Sequence, residues 1–406
     1  MQEVFDEKDL KIRPLLFGGD INVYSVARAF YEEYGLVSDV YSKYFTWPVS
    51  NSKIINLHPN EKNDQQEVFL KAVCDFANAH KDETVLLVGC GDSYIKLASE
   101  NMGKYPSNVV APYIPADLIN TLIHKERFYE LCEKHNIDYP NTFVYKKEMG
   151  MDFELPFEAP FICKPSNSVM YWEHPFNGQD KVFKAKTRER LNEILKNVYD
   201  AGYTDTMIIQ DFIPGDDSYM RVLTNYSDRN GKVKMMALGH TILEEHTPHG
   251  IGNHAVIINE YEPELCEKLK AFLEELGFVG FSNFDIKYDQ RDGKYKVFEI
   301  NVRQGRSNYY VTGGGANVAK LLVEDRILEK DLPVTILKEE RLWRVIPKAV
   351  ALKYANPAYK DKIRKLESEG KVTNSLWFKP DMNFKRILMF LKGQIGHFYK
   401  YKKYMK

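Results

Sequence analysis

The chain has 406 residues and a formal net charge of −1 at pH 7, with 44% hydrophobic and 28% charged residues. This length allows two or three domains with cores of their own, and the composition excludes a disordered chain. The balanced charge excludes a protein that tracks nucleic-acid phosphates through bulk basicity. Five scattered cysteines, Cys74, Cys90, Cys132, Cys163 and Cys266, form no CxxC pair. They are expected to be reduced thiols of a cytoplasmic protein, in neither a disulfide framework nor a zinc site. No apolar run approaches the roughly 20 residues that span a bilayer, and the charged start MQEVFDEKDLKIRP leads into no apolar leader core.

Residues 15–115 read as an α/β unit. LLFGGD is an apolar run ending in glycines, and Val23, Val26, Ala27, Phe30 and Tyr34 then repeat at helical spacing until Gly35. The pattern recurs in ETVLLVGCGDSYIKLASENMG, where a buried-type strand meets Gly89, Cys90, Gly91 and Asp92 before a helix. Such turns suit anionic ligands because free amides and the helix dipole point into them. They also suit a plain tight connection, and neither turn matches the GxGxxG fingerprint.

ADLINTLIHKERFYELCEKHNI has a helical period that Asp138, Tyr139 and Pro140 end. PFICKPSNS is a short strand carrying Lys164 ahead of the small loop Ser166, Asn167 and Ser168. A lysine inside an apolar run is costly unless it faces solvent, a partner or a cleft. KVFKAKT is a further strand, TRERLNEILKNVYDAG a helix, and TMIIQDFIPGDDSY a buried strand that breaks at Pro214 and Gly215 into Asp216 and Asp217. His240, His246, His249 and His254 lack zinc spacing and are expected on a loop near a substrate.

PELCEKLKAFLEELG is an amphipathic helix leading into FSNFDIKYDQRDGKYKVFEINVRQGR, residues 281–306. Two alternating runs flank a polar turn ending in Asp-Gly, so the stretch reads as a β-hairpin. Glu299 and Asn301 share a face by strand alternation, and Asp285 lies on the partner strand. These residues form either a hard-oxygen site for Mg²⁺, with Arg303 and Arg306 as phosphate donors beyond it, or an ordinary exposed polar face. The glycines at 313, 314 and 315 are expected to start a helix. In the last 26 residues, Phe384, Ile387, Leu388, Leu391, Ile395 and Phe398 form one apolar stripe flanked by Lys385, Arg386, Lys392, Lys400, Lys402, Lys403 and Lys406. This reads either as a helix on an anionic membrane surface or as a helix docked on its own domain, weakened by Gly393 and Gly396.

The ordered set of Lys125, Lys164, the strand breaking into acids, FDIK and then EINVR resembles the ATP-grasp superfamily. The resemblance covers about residues 115–325, and residues 15–115 look like the associated pre-ATP-grasp domain. Within that superfamily, FGGDINVYSVARAFYEEYG, HKERFYELCEKHNIDYPNTF and FEINVRQGRSNYY are similar to bacterial D-aspartate ligases and related carboxylate–amine ligases. The resemblance implies a mixed α/β (α+β) chain with a pre-ATP-grasp domain at 1–115, an ATP-grasp domain at 116–330 whose lid spans about 141–208, and a basic helical extension at 331–406.

It also implies ATP and one or two Mg²⁺ ions, with Mn²⁺ as an alternative. Lys125, Lys164 and Ser166 would contact phosphates, Gln210, Asp211, Phe212 and Ile213 would read adenine, and Asp217, with Asp216 as the alternative, would take the ribose. Asp285, Glu299 and Asn301 would hold the metal, Arg303 and Arg306 the transferred phosphate, and Arg221, His240, Gly313 and Gly314 the carboxylate substrate. The loop after Lys164 departs from the common pattern by lacking glycine until Gly178. The implied reaction joins the β-carboxylate of D-aspartate to a lysine amine of a peptidoglycan precursor through an acyl phosphate. Another cell-surface polymer or small peptide as acceptor, and a non-catalytic nucleotide-binding protein at a membrane surface, are the alternatives. The expected partners are therefore an amino acid and an amine-bearing cell-wall precursor, without nucleic acid. The expected place is the cytoplasm, with 381–406 able to reach the inner membrane face.

Overall fold

The computed structural model describes residues 11–248 and 250–405, and the chain divides into two compact units. The larger comprises the described parts of Met1–Ala116, Asp216–Asn283 and Asn301–Lys406, and the smaller Asp117–Gly215 and Phe284–Ile300. His249 and Lys406 lie outside the described residues.

The larger unit begins with β1 (Ile12–Phe17), α1 (Ile21–Tyr34), β2 (Ser38–Ser42), β3 (Ile55–Pro59), α2 (Gln66–Ala79), β4 (Thr84–Gly89), α3 (Asp92–Glu100) and β5 (Val109–Val110). The strands form a parallel sheet in the order β3-β2-β1-β4-β5. Leu15, Phe17, Val85 and Leu87 pack among Phe69, Val73 and Tyr94, whereas Leu16, Leu86 and Val88 pack among Val23, Val26 and Phe30. Both faces are therefore covered, which is why these strands read as unbroken apolar runs. Asp20 caps α1 by accepting from the Asn22 amide, and Gly35 ends it at φ 67°. The first Gly-rich turn thus carries its own carboxylate at the helix end.

In the smaller unit, α4 (Ala116–Ile123) is followed by α5 (Lys125–Lys134), β6 (Thr142–Tyr145), β7 (Phe161–Pro165), α6 (Ser168–Trp172), β8 (Phe183–Ala185), α7 (Arg188–Asp200) and β9 (Met207–Asp211). The single helix expected before Pro140 is broken at His124, whose extended backbone (ψ 112°) makes Lys125 the first residue of a new helix. The antiparallel sheet β6-β9-β7-β8 packs through Phe161, Cys163, Ile209 and Phe183 against Leu191, Ile194, Leu195 and Val198 of α7.

The chain continues with β10 (Met220–Ser227), β11 (Val233–Glu244), β12 (His254–Glu260), α8 (Pro263–Glu275), the hairpin β13 (Gly280–Asp289) and β14 (Lys294–Asn301), α9 (Tyr309–Gly313), α10 (Val318–Arg326), β15 (Thr335–Leu337), β16 (Leu342–Arg344), α11 (Lys348–Tyr354), α12 (Lys360–Ser368), β17 (Val372–Thr373) and α13 (Phe384–Tyr404). The second sheet runs β13-β10-β11-β12-β16-β17 with β15 beside β11, and residues 280–283 of β13 count with the larger unit. The hairpin closes through Gly293 at φ 73°, as its Asp-Gly turn predicts.

Two expectations change here. His240 and His254 stand in strands β11 and β12 instead of a loop, because the apolar residues beside them are needed in the sheet core. The glycines at 313–315 do not start a helix. Gly313 ends α9, Gly315 takes φ +115°, and α10 starts only after Asn317, whose side chain accepts from the Ala319 and Lys320 amides. The expected C-terminal helix is present as α13, which runs for 21 residues through both of its glycines. It is held by buried Arg386 and Tyr401, while Phe384, Leu388, Leu391, Ile395 and Phe398 are exposed.

Candidate active site

Positive charge gathers around one hairpin carboxylate in the smaller unit. The Lys125 ammonium, almost buried at the start of α5, lies 3.6 Å from Glu299 and donates to the Ser168 hydroxyl at 3.3 Å. Lys164 on β7 is buried and donates to the Tyr129 hydroxyl at 3.0 Å, which in turn donates to the Phe298 carbonyl at 2.6 Å. Burial first, then the like charge of Lys125, pushes the Lys164 ammonium down to about 7, although Glu299 and Asp285 pull the other way. Burial would raise the Glu299 carboxyl. Lys125, Lys181 and Lys164, together with hydrogen bonding to Asp285, outweigh it and hold the group at about 2. Glu299 is thus a carboxylate at any physiological pH.

Ser166 is fully buried: its hydroxyl meets Thr206 at 2.7 Å and its carbonyl accepts from the Lys125 amide. It joins the loop to α5. At the end of β9, the Gln210 amide group donates to Thr142 at 2.8 Å, and Asp211 pairs with Arg291 at 2.6 Å. The Asp211 and Phe212 amides donate to the Asn141 and Pro160 carbonyls, whereas the Ile213 amide has no such partner among the described residues. The Phe212 ring lies 3.4 Å from the Lys184 ammonium.

In the larger unit, the segment after β14 is stapled to both Gly-rich turns. Asn22 donates to the Cys90 and Gln304 carbonyls at 3.3 Å each, and the Gln304 side chain donates to the Gly89 carbonyl at 3.2 Å. This fixes the backbone on which Arg303 and Arg306 stand. Arg303 makes a two-pronged pair with Asp92 at 2.7 and 3.2 Å, and also reaches Asn301 at 3.4 Å. Arg306 donates to Glu245 at 3.3 Å, and its other terminal nitrogen is buried without a hydrogen-bond partner among the described residues.

The remaining expected residues are engaged by the protein. Asp217 accepts from the Glu244 amide at 2.9 Å and pairs with His246 at 2.8 Å. Arg221 and His240, opposite each other in β10 and β11, both pair with Glu260. Burial alone would raise Glu260, but these two partners hold it below its usual value. A Cβ on Gly313 would meet Thr373 at 2.5 Å and one on Gly314 would meet Leu337 at 2.8 Å, so both permit close packing.

Four participants were given no site role from sequence: Tyr129, Ser168, Lys181 and Asp92. Tyr129 follows Lys125 by four residues on a helix, hence on one face, and that spacing was a usable signal. Asp92 sits in the turn read as an anion site, where an acid signals a cationic partner instead.

The donor set fits a hard divalent cation. Asp285 and Glu299 are within hydrogen-bonding contact, and two carboxylates so close need a proton or a cation between them. Among the described residues no group of three or more His, Cys, Asp or Glu could hold a metal, and the third expected ligand is the amide of Asn301, counted with the larger unit. Chemically, the smaller unit offers lysines for phosphate oxygens beside acids for a metal, and the larger offers two arginines for a further oxyanion.

No family model matches this sequence. A D-aspartate ligase of Enterococcus faecium (strain Aus0004) is 40% identical over 404 residues, which cover 96% of each chain. Among solved structures, an L-amino acid ligase from Bacillus licheniformis aligns with a TM-score of 0.54 at 14% identity, covering 78% of this chain and 74% of that one. An N5-carboxyaminoimidazole synthetase from Staphylococcus aureus complexed with ADP aligns with a TM-score of 0.58 at 13% identity, over 83% and 84% of the two chains. These structures share the fold.

Proposed function

The chain belongs to the D-aspartate ligase family of the ATP-grasp superfamily, which makes it an ATP-dependent carboxylate–amine ligase, and on that premise we propose that it joins the β-carboxylate of D-aspartate to the lysine side-chain amine of a peptidoglycan precursor. The observation that carries the reading is 40% identity along 96% of both chains, since a substrate pocket is drawn from the whole length. A carboxylate does not condense with an amine at neutral pH because its oxygen leaves poorly. Transfer of the γ-phosphoryl group of ATP to the carboxylate releases ADP and gives an acyl phosphate, whose carbonyl the amine attacks to expel phosphate. The protein's task is charge neutralisation and positioning.

Lys125 and Lys164 would take the α- and β-phosphates. An arriving phosphate favours the charged form of Lys164, so nucleotide binding would draw a proton onto it. Asp285, Glu299 and Asn301 would hold one or two Mg²⁺ ions, with Mn²⁺ able to substitute; the ion neutralises charge on the transferring phosphate. Ile213, with the backbone of Gln210, Asp211 and Phe212, would read adenine, and Asp217 the ribose. Arg303 would exchange Asp92 for the phosphoryl oxyanion, and Arg306 would assist it. Arg221 and His240 would reach the substrate carboxylate by exchanging Glu260 for it, with Gly313 and Gly314 lining that pocket. The lid at 141–208 would cover the nucleotide and keep water from the acyl phosphate. The reaction would run in the cytoplasm, where ATP and the precursor are available.

The test is ADP release with ATP, Mg²⁺ and a lysine-containing precursor across D-aspartate, L-aspartate, D-alanine and glycine. D-Aspartate should be the strongest stimulant, with a product heavier by one aspartyl residue. Turnover driven by another amino acid, or by no carboxylate–amine pair, would remove the substrate assignment.

A further inference from the structure

The apolar stripe of α13 points away from the core that holds the helix. Arg386 donates to the Pro48 and Ser50 carbonyls at 3.1 and 2.8 Å, Gln394 to the Val345 carbonyl at 2.8 Å and Tyr401 to the Glu244 carbonyl at 2.6 Å. Phe390 packs on Trp377 with ring centroids 5.0 Å apart. These contacts fall at spacings of four, four and seven residues and define the docked face. On the opposite face, Phe384 is 75% exposed and Ile395 69%, with Leu388, Leu391 and Phe398 each about half exposed. Five large apolar side chains in one row are far from the scattered singles that a surface ordinarily carries.

What surrounds the row decides its partner. At about 100° per residue, Lys385, Lys392 and Lys403 lie about 80–100° round from Phe384, along one flank of the stripe. Lys402 ends the stripe, and all four lysines are exposed. No acid occurs between Met382 and Met405. Long lysine stems beside an apolar row can lie on it and lift their ammonium groups to the level of lipid phosphates. A second copy of the same face would bring lysines against lysines, so self-association is disfavoured. No described helix is long and apolar enough to cross a membrane, which leaves a helix lying in the surface plane.

We propose that α13 docks the protein on an anionic lipid surface, with Phe384, Leu388, Leu391, Ile395 and Phe398 inserted among the acyl chains and Lys385, Lys392 and Lys403 on the headgroups. The proposal does not rest on the substrates assigned above. It places the docked face of the helix, and the domain behind it, on the aqueous side.

The test is co-sedimentation of the full chain with phosphatidylcholine vesicles, with or without about 30% phosphatidylglycerol. The protein should pellet with the anionic vesicles and about tenfold less with the neutral ones. Raised salt should weaken the binding. Phe384→Ser/Ile395→Ser/Phe398→Ser and Lys385→Glu/Lys392→Glu/Lys403→Glu should each abolish it while keeping the wild-type unfolding temperature and vesicle-free ADP release. Should the serine variant unfold, Ile395→Asp tests the same face alone. Absence of binding, equal binding by the apolar variant, or a dimer in solution that the apolar variant dissolves would each overturn the proposal.

Discussion

Lys164 carries the least comfortable charge in the smaller unit. Its ammonium is buried on β7 and donates to the Tyr129 phenol, and burial together with Lys125 brings it to about 7 from an ordinary 10.5. Between these two values the unfolded chain binds a proton that the folded chain has released, so this residue makes stability rise with pH across that window. Below about 7 both states hold the proton and the penalty of the buried charge is fully present. Lys164→Met should therefore unfold at a higher temperature than wild type near pH 6, and this advantage should shrink steadily toward about pH 10. Thermal unfolding of both proteins across that range checks it. An advantage that grows with pH would remove the buried-charge account. On the proposed phosphate-binding role of Lys164, the same substitution should also abolish ADP release.

Elements show a similar separation between what holds and what acts. The helix α13 is anchored by Arg386, which is 1% exposed and 3.1 Å from Asp381, itself fully buried. Asp381 also accepts from the Tyr24 and Ser52 hydroxyls at 2.8 and 2.9 Å, so one carboxylate joins α1, the 46–53 loop and α13. Removing the guanidinium would leave that carboxylate buried without its counter-charge. Arg386→Met should cost about 3–5 kcal/mol, whereas Lys385→Met, one residue earlier and exposed, should change stability by less than about 0.5 kcal/mol. Urea unfolding of the two variants distinguishes them, and similar midpoints would deny the buried pair its role. The stripe on the other side of α13 is not needed for this anchorage, which leaves it available to an external surface.

For the protein as a whole, ligand and fold are linked by mass action. Mg²⁺ with ADP at about a hundred times its dissociation constant should stabilise the native state by about 2.7 kcal/mol, seen as a rise of a few degrees in unfolding temperature. Glu299→Gln keeps the shape of the side chain and removes the charge. Without nucleotide it should unfold at a lower temperature than wild type, because Lys125, Lys164 and Lys181 lose their counter-charge; it should also lose the Mg²⁺-dependent part of the shift and lower ADP release by at least about a hundredfold. A full Mg²⁺-dependent shift in this variant would show that the hairpin carboxylates are not the metal ligands.

Much of this molecule can be read from near neighbours in the chain. The unbroken apolar runs of β1 and β4, the Asp-Gly turn of the 280–301 hairpin, the cap at Asp20 and the stripe of α13 each depend on residues within about one or two turns, and local sterics and periodicity specify them. Even the alternation that puts Glu299 beside Asn301 is local. The break at His124, the true start of α10 and the strand placement of His240 and His254 were not legible, because sheet pairing and core packing overrode the local signal. Distant contacts decided the charges. Arg303 meets Asp92 across 211 positions, and Lys125 meets Glu299 from another element altogether. Whether a lysine is comfortable or poised, and whether an apolar row faces the core or the solvent, depends on which groups folding brings within a few ångströms. Coulomb interactions and desolvation act over that distance in space, however far apart the residues stand along the chain.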